Sequence, residues 1–550
     1  MNRERLPLIF KDINSDLSLL FATLCVIDIF GIFPIIALPR SIVQCGLYGI
    51  PLVFIVLALQ IYTAILLGKS WIIATTIDPQ ILRKNRNPLA AVTELTLGSR
   101  ARNLITIILD LTVFGCSIPN LLVASQNLQI FGLKISEQQF NLSFCYWLVI
   151  IGILLCPIMW LGSPRDMKII SLFSCTTVLL TALLIWWCII TDTRELDIIP
   201  IPISPSWDKF ISGYGMLAFQ FDIHPTLMTV QVDMRHPQDI NKAIVISFLV
   251  TGSLFLVTTI LAVWKYGSSI TANILQLIPG NFIMSIVVLI AALQLCLSSV
   301  LSHSTLFQDL EDQCNIKRKF GWKRCLIRSA IVFLGVAVGE SVPRFDIVMV
   351  LIGGSLTGLL VFIFPPLLYS KIIALKTRSK KIQSLTPEVY SSSERCQNNK
   401  DMSTNPRIHS KSIYYGGLTV PRTEYHRYSY VYYNELESEL DEIVDYENDH
   451  IIDSEKFLMT KRIYDNKPIF IDASQSYNVY KQIIIPEEPI SESTTYYNYK
   501  KWNDCFSYLI VFFGIIITIS STYINMKNTI HYVQFTPPCI MNITILQNSI

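Results

Sequence analysis

One feature limits this chain more than any other: from Leu17 onward it returns repeatedly to apolar windows of about 20 residues, the length a helix needs to cross the hydrocarbon of a bilayer. With 51% hydrophobic and only 15% charged residues and a mean hydropathy of +0.46, it holds more apolar surface than one water-soluble core can hide. Lipid offers backbone polar groups no partner, so each window must fold as a helix. The fold class expected is an all-α polytopic membrane protein with about eleven transmembrane helices, near 17–39, 47–70, 102–127, 144–161, 167–190, 208–232, 242–265, 281–306, 323–342, 345–371 and 503–525. The first run is too long for a signal-peptide core and lacks a small-residue cleavage site, so it is expected to remain as a span.

Positive charge orients these helices. Lysines and arginines crowd the joints after the second span (Arg83, Lys84, Arg86, Arg100, Arg102), the fourth (Arg165, Lys168), the eighth (Lys317, Arg318, Lys319, Lys323, Arg324) and the tenth (Lys371, Lys376, Arg378), while the intervening joints are poor in them. The positive-inside rule then puts the N-terminus, 1–16, in the cytosol and the tail, 526–550, in a lumen or outside the cell. Two N-x-S/T sequons, at Asn141 and Asn542, fall on that non-cytosolic side, where glycosylation occurs. The thirteen cysteines form no C-x-x-C pair and no His/Cys metal spacing, so neither a metal nor a cofactor is expected. Cys145 and Cys539 both face the oxidising side, and a disulfide between them is left open.

After the ten spans within 17–371 the composition changes. The stretch 372–502 is polar and holds fifteen of the twenty-four tyrosines, with too little apolar surface to offset the entropy of ordering; it is expected to be a largely disordered cytosolic insert. Its Tyr-x-x-apolar matches at Tyr433 and Tyr480 fit trafficking adaptors, but so many tyrosines produce such matches by chance.

Two spans carry residues that a bilayer helix tolerates poorly. In the sixth, Phe219-Gln220-Phe221-Asp222-Ile223-His224-Pro225 places a proline beside a carboxylate and an imidazole; in the first, Gly31 and Pro34 precede Pro39. Proline removes a helical hydrogen bond and displaces the carbonyl four residues back, so both helices are expected to break there. Interrupted first and sixth helices, five spans apart, fit an inverted repeat of two five-helix halves around a central binding site. Freed N–H groups at Gly31, Ile32, Phe33, Pro34 and Ile35 (proline excepted as a donor) suit a carboxylate. Carbonyls at Phe219, Gln220, Phe221 and Asp222 suit an ammonium.

The sixth-span residues Phe219, Phe221, His224, Gln231, Met234 and Pro237 resemble the F-x-F-x-x-H…Q…M…P pattern of the amino acid/auxin permease family, within the amino acid, polyamine and organocation superfamily. Similarity continues through PRSIVQCGLYGIPLVFIVLALQIYTAILL, through SVPRFDIVMVLIGGSLTGLLVFIFPPLLY and into the last span, omitting the insert. The likeness is strongest to the vesicular inhibitory and proton-coupled branches. It implies amino-acid transport driven by protons or, in some branches, sodium, in a vesicular, lysosomal or plasma membrane. The chain departs from the pattern in the first span, where Pro34 takes a usual glycine position and Asp28 a usual asparagine; a proton site is suggested instead.

Carboxylates inside spans usually face the bundle interior, which makes Asp28, Asp110 and Asp222 candidates. Asp28, one turn before the first break, is the first choice for proton coupling, with a bond to a neighbouring helix as the alternative. Asp110 reads as structural, and Asp222 as a cap for the second half of the sixth span. His224 is the second proton candidate, because imidazole changes charge within the pH range of acidic organelles. The run Gly353 to Gly358 suits close helix packing, with Ser355 and Thr357 able to reach a cavity. The function expected is secondary transport of a small neutral amino acid by alternating access. A vesicular exchanger of the GABA/glycine type is one alternative, and an amino-acid sensor signalling through the insert is another. No catalytic motif and no nucleic-acid signature is present.

Overall fold

A computed structural model describes residues 17–83, 87–135, 142–160, 168–194, 200–280, 282–316, 320–378 and 494–532. The chain divides into one unit of Met1–Thr377 with Trp502–Ile550 and a second of Arg378–Lys501. Of the second, only the ends that continue helices fall among the described residues, so the expectations for the insert lie outside them, as do Asn141, Asn542 and Cys539. Cys145 is disulfide-bonded.

All regular structure among the described residues is helical, apart from an isolated bridge between Leu17 and Met234. The helices are α1 (Leu19–Phe30), α2 (Phe33–Gln44), α3 (Gly49–Ile77), α4 (Pro88–Leu97), α5 (Ser99–Ile135), α6 (Phe144–Met159), α7 (Lys168–Ile190), α8 (Trp207–Gln220), α9 (His224–Val232), α10 (Ile240–Tyr266), α11 (Phe282–Ser302), α12 (Ser304–Gln313), α13 (Trp322–Ser341) and α14 (Phe345–Gly354). Then come α15 (Leu356–Gly358), a π-helical turn at Leu359–Ile363, and the final helix α16 (Thr494–Tyr532). Among the described residues, seven helices are long and apolar enough to cross a membrane, and the bent pair α1 and α2, taken as one span, makes an eighth. The other three expected spans fall on α6, of 16 residues, on the interrupted α8 and α9, and on α13, whose Lys323, Arg324, Arg328 and Glu340 dilute its hydropathy.

The first helix pair bends by 49° at Gly31, whose φ of 59° lies in the left-handed region that favours glycine. Pro34 sits in the first turn of α2, where its missing N–H leaves no helical bond unmade. Pro39 lies inside α2, which runs on to Gln44, so the first span ends later than 39. In the sixth span, α8 stops at Gln220 and α9 starts at His224, with Pro225 in its first turn. The two broken pairs run antiparallel side by side. The Leu17 amide donates to Asp233 O at 2.9 Å and the Arg235 amide to Leu17 O at 2.8 Å, while Gln220 Nε2 donates to Ser41 Oγ at 2.9 Å.

Around this pair, α11 packs on α5 and α7, α14 on α8, and α10 on α1 and α2. Close approach of α8 to α14 depends on the absence of side chains: a Cβ on Gly353 would collide with Gly215 O, and one on Gly215 would come within 2.8 Å of Val350 O. Large apolar residues such as Leu249, Trp264, Phe512 and Ile519 point outward, the arrangement a lipid-facing surface requires.

Candidate functional site

Both helix breaks open onto one cavity of about 60 Å³. Gly31 and Phe33 border it from the first break, and Phe219, Gln220 and Asp222 from the second. Cys116 and Asn120 of α5 and Ser298 of α11 close its sides. Of the other expected binding residues, Ile32, Pro34, Ile35 and Phe221 are buried but do not border the cavity; Phe221 packs instead on Phe255, ring centroids 6.2 Å apart.

At the first break much of the backbone is already engaged. The Gly31 amide donates to Ile27 O at 3.1 Å, and the Ile32 amide to Gln294 Oε1 at 2.9 Å. Pro34 has no N–H, so Phe33 and Ile35 carry the donors at the start of α2 that helix geometry leaves without an intrahelical acceptor. Phe33 is fixed by edge-to-face contacts with Phe219 and Phe345, each at 6.0 Å.

Asp28 stands one turn before this break, fully buried. Its Oδ1 accepts from Ser174 Oγ of α7, and its backbone carbonyl accepts from Ser298 Oγ at 2.6 Å. Its Oδ2 has no hydrogen-bond partner among the described residues. Gln294 Nε2 donates to Ser174 Oγ at 3.3 Å, which links Asp28 through two side chains to the Ile32 amide.

The second break carries its own polar group. Asp222 Oδ1 accepts from the His224 amide at 3.1 Å, the geometry that satisfies an orphan donor at the start of α9. Asp222 Oδ2 accepts from Thr357 Oγ1 at 3.0 Å, so α15 reaches the break across the bundle. His224 does not face the cavity. Its Nε2 lies 3.0 Å from Thr63 Oγ1 of α3, and its Nδ1 lies 3.5 Å from Asp222 Oδ1. Among the α8 carbonyls, Ala218 O accepts from Gln60 Nε2 at 3.0 Å and Phe219 O from the Asp222 amide at 3.3 Å. Gln220 Oε1 is buried with no partner among the described residues.

The remaining candidates stand elsewhere. Asp110 meets Asp309 of α12, which also accepts from Asn87 Nδ2 at 2.6 Å, away from the cavity. His303 Nδ1 is 2.6 Å from Ser299 O, and its ring stacks on Phe307. Ser355 Oγ turns back on Leu351 O. Gln231 is structural, donating through Nε2 to Gly68 O at 3.0 Å and Pro237 O at 3.1 Å. Sequence reasoning passes over Gln294, Ser298, Ser174, Cys116 and Asn120. The signal that could have found them is an uncharged polar side chain in an otherwise apolar helix, strongest for Gln294 in IAALQLCL. Among the described residues, no group of three or more His, Cys, Asp or Glu side chains stands close enough to hold a metal ion.

A family model described as "Transmembrane amino acid transporter protein" matches residues 20–389, a range that takes in both breaks and every residue that borders the cavity. Three Arabidopsis thaliana proteins are similar. Amino acid transporter AVT1C is 22% identical over 359 residues, covering 62% of this chain and 61% of that protein. Amino acid transporter AVT1D is 22% identical over 370 residues, with 63% and 62% covered. Amino acid transporter AVT1I is 19% identical over 356 residues, with 62% and 82% covered. The chain thus spans about three fifths of the length of the first two relatives. With more than half of its residues under that family model and its two broken helices around one cavity, the chain belongs to the transmembrane amino acid transporter protein family.

Proposed function

We propose that the protein is a secondary transporter that carries a small neutral amino acid across a membrane together with a proton, by alternating access around the two broken helices. The observation that carries this reading is the single cavity bordered by both breaks, one offering helix N-terminal donors and the other acceptors. In this reading the substrate carboxylate meets the Phe33 amide beside Gly31, the two first-break residues that border the cavity. The ammonium meets Gln220 Oε1, the carbonyls near the end of α8 and the Asp222 carboxylate. Size favours a small substrate. One water-sized occupant takes roughly 10–15 Å³ of such volume, so the cavity has room for about four to six heavy atoms, the scale of glycine or alanine.

Asp28 carries the proton: it is fully buried, has one oxygen without a hydrogen-bond partner among the described residues, and stands one turn before the first break. His224 is the second proton group, held against Asp222 and Thr63. Helices α1 to α7 form one half of an inverted repeat and α8 to the end of the tenth span, at 371, the other, and the two rock about the cavity. The N-terminus lies in the cytosol. The disulfide at Cys145 supports a non-cytosolic loop before α6, since disulfides persist in oxidising compartments. Proton coupling is favoured over sodium because Asp28 puts an ionisable group where the family pattern usually has a neutral asparagine.

The test is uptake of labelled glycine, alanine and GABA into proteoliposomes under an imposed pH gradient, with and without sodium. Gradient-driven accumulation independent of sodium is the expected result. Binding without accumulation under any gradient overturns transport, and accumulation that requires sodium overturns the proton assignment.

A further inference from the structure

The hydrogen bonds around Gln294 form a chain with a direction. Ser174 Oγ donates to Asp28 Oδ1, Gln294 Nε2 donates to Ser174 Oγ, and Gln294 Oε1 accepts from the Ile32 amide. All four residues are buried, so water offers no substitute for any link. Each side chain receives at one end what it gives at the other, so reversing one link forces the next to reverse.

We propose that Gln294 is a positioning residue that couples the proton to the substrate, by holding the Ile32 amide while Asp28 is ionised and releasing it when Asp28 is protonated. This rests on the proposed binding cavity, in which the amides at the first break take the substrate carboxylate. A proton arriving on Asp28 settles on Oδ1, where Ser174 Oγ stands ready to accept it, because no acceptor lies within hydrogen-bond distance of Oδ2 among the described residues. Ser174 then turns its own hydrogen away from Asp28 toward Gln294, whose amide flips to present Oε1 to it. The flip faces Nε2 toward the Ile32 amide, two donors confronting each other; the clash turns the Ile32 peptide toward the cavity that its neighbours Gly31 and Phe33 border, where a substrate carboxylate is the acceptor that resolves it. The proton stays on Asp28 throughout, and only hydrogen bonds reverse. Gly31 leaves room for the turn. A Cβ there would lie 3.0 Å from Gln294 Nε2 and 3.3 Å from Oε1.

The surroundings isolate the switch. Helices α7, α9, α10 and α11 pack on α1. The titratable groups near Asp28 among the described residues are the thiols of Cys25 on its own helix and Cys175 on α7. Lys168 on α7 and Asp233 beyond α9 act on Cys25. On α9, His224 faces Asp222 and Thr63. The polar groups nearest Asp28 are the uncharged hydroxyls of Ser171, Ser174 and Ser298. By linkage, whatever factor the proton adds to substrate affinity, the substrate adds to proton affinity.

The test uses the full chain and equilibrium binding of labelled glycine, alanine and GABA at about pH 5.5 and about pH 7.5, a span over which the chain is expected to tighten binding by about five- to tenfold. Gln294→Met fills the same space without competing for the Ile32 amide. It is expected to bind about three- to tenfold tighter than wild type at the higher pH, the range of one neutral hydrogen bond, and to lose most of the pH dependence. Ser174→Ala breaks the chain at its middle, keeps the Gln294 contact to Ile32, and is also expected to lose the pH dependence; it serves if Gln294→Met does not fold. A Gln294→Met or Ser174→Ala protein with the wild-type pH profile overturns the relay and leaves direct charge repulsion from Asp28 as the coupling. Wild type that binds without pH dependence overturns the relay while the cavity reading stands. Wild type that binds none of the three ligands overturns the cavity reading, and the relay with it.

Discussion

At the break between α1 and α2 the chain turns on a left-handed glycine and takes its polar partners from other helices, Gln294 and Ser298 of α11 and, through Asp28, Ser174 of α7. At the break between α8 and α9 it supplies its own: Asp222 accepts from the amide two residues later, and one hydroxyl from α15 completes its second oxygen. The contrast has a physical consequence. A break whose bonds cross to neighbouring helices changes whenever those helices move, whereas a break closed by a local carboxylate keeps its shape as its helix tilts. The first break is thus suited to report on the state of the bundle, and the second to keep one shape as the bundle changes.

Substitutions sharpen this contrast, and the largest effect is expected at Asp28. Asp28→Asn keeps an acceptor for Ser174 but cannot exchange a proton, so gradient-driven uptake is expected to fall by about tenfold or more while substrate binding survives, the scale of a coupling of ~1–3 kcal/mol. Uptake unchanged in this variant would move the coupling to the second break and to His224. Next comes Gly31→Ala. At φ 59° and ψ −155° the backbone of Gly31 lies in a region essentially reserved for glycine, so a residue with a Cβ pays about 1–3 kcal/mol to hold it, and the new methyl presses on Gln294 and on Ser298 Oγ, 3.1 Å away. A lowered melting temperature together with weakened binding is the expected outcome. A variant that is merely less stable, with wild-type affinity, would show that the first break does not touch substrate.

The two breaks also differ in how far they can be foreseen. Proline and glycine act on the backbone within a turn of themselves, so Gly31, Pro34 and Pro225 mark the interruptions from sequence alone. Asp222 is equally visible, because its partner lies two residues away in the chain. Gln294 lies 262 positions from Ile32, and Thr357 lies 135 from Asp222. Only the packing of α11 and α15 brings them in. The π-helical turn after α15 has no glycine or proline to announce it inside LLVFI, and it follows the stretch that presents Thr357. Charged residues mislead in a similar way: Asp110 stands out in its span as much as Asp28 does, and its position against Asp309 depends on α12, not on its own helix.

A smaller effect is expected at the second break. Asp222→Ala removes the acceptor of the first amide of α9 and is expected to cost about 0.5–2 kcal/mol of stability, the scale of one or two lost hydrogen bonds. Thr357→Val, which removes one hydrogen bond and leaves that from the His224 amide to Asp222 in place, is expected to cost about 0.5–1.5 kcal/mol. The informative quantity is their coupling in a double-mutant cycle measured by thermal unfolding. Coupling between Asp222 and Thr357, with none between Asp222 and Ser298, fits two independently held breaks. Coupling of Asp222 to Ser298 would show that the breaks respond as one body and would dissolve the contrast.

The smallest effect is expected far from both breaks, where a loop clasp supplies the reference. After α7, Asp192 is buried and accepts from Arg194 Nη2 at 2.8 Å and from Tyr266 at 3.0 Å, while Arg194 also donates to Leu277 O at 2.8 Å. The Arg194 hydrogen bonds hold the Asp192 carboxyl down from 3.8 to about 2. A carboxyl depressed on folding adds stability that is present above its unfolded value and is lost as pH falls through the folded one. The clasp is therefore intact at the pH of an acidic organelle and gives way only between about pH 4 and about pH 2. Arg194 is partly exposed, so Asp192→Asn is expected to cost only about 0.2–1 kcal/mol, a difference in melting temperature that is constant from neutral pH down to about pH 5 and shrinks below about pH 4. Its uptake should match wild type across the same range. If uptake by Asp192→Asn instead acquired the pH dependence assigned to Asp28, the proton would be acting on the loops, and the first break would be a binding element without a part in coupling.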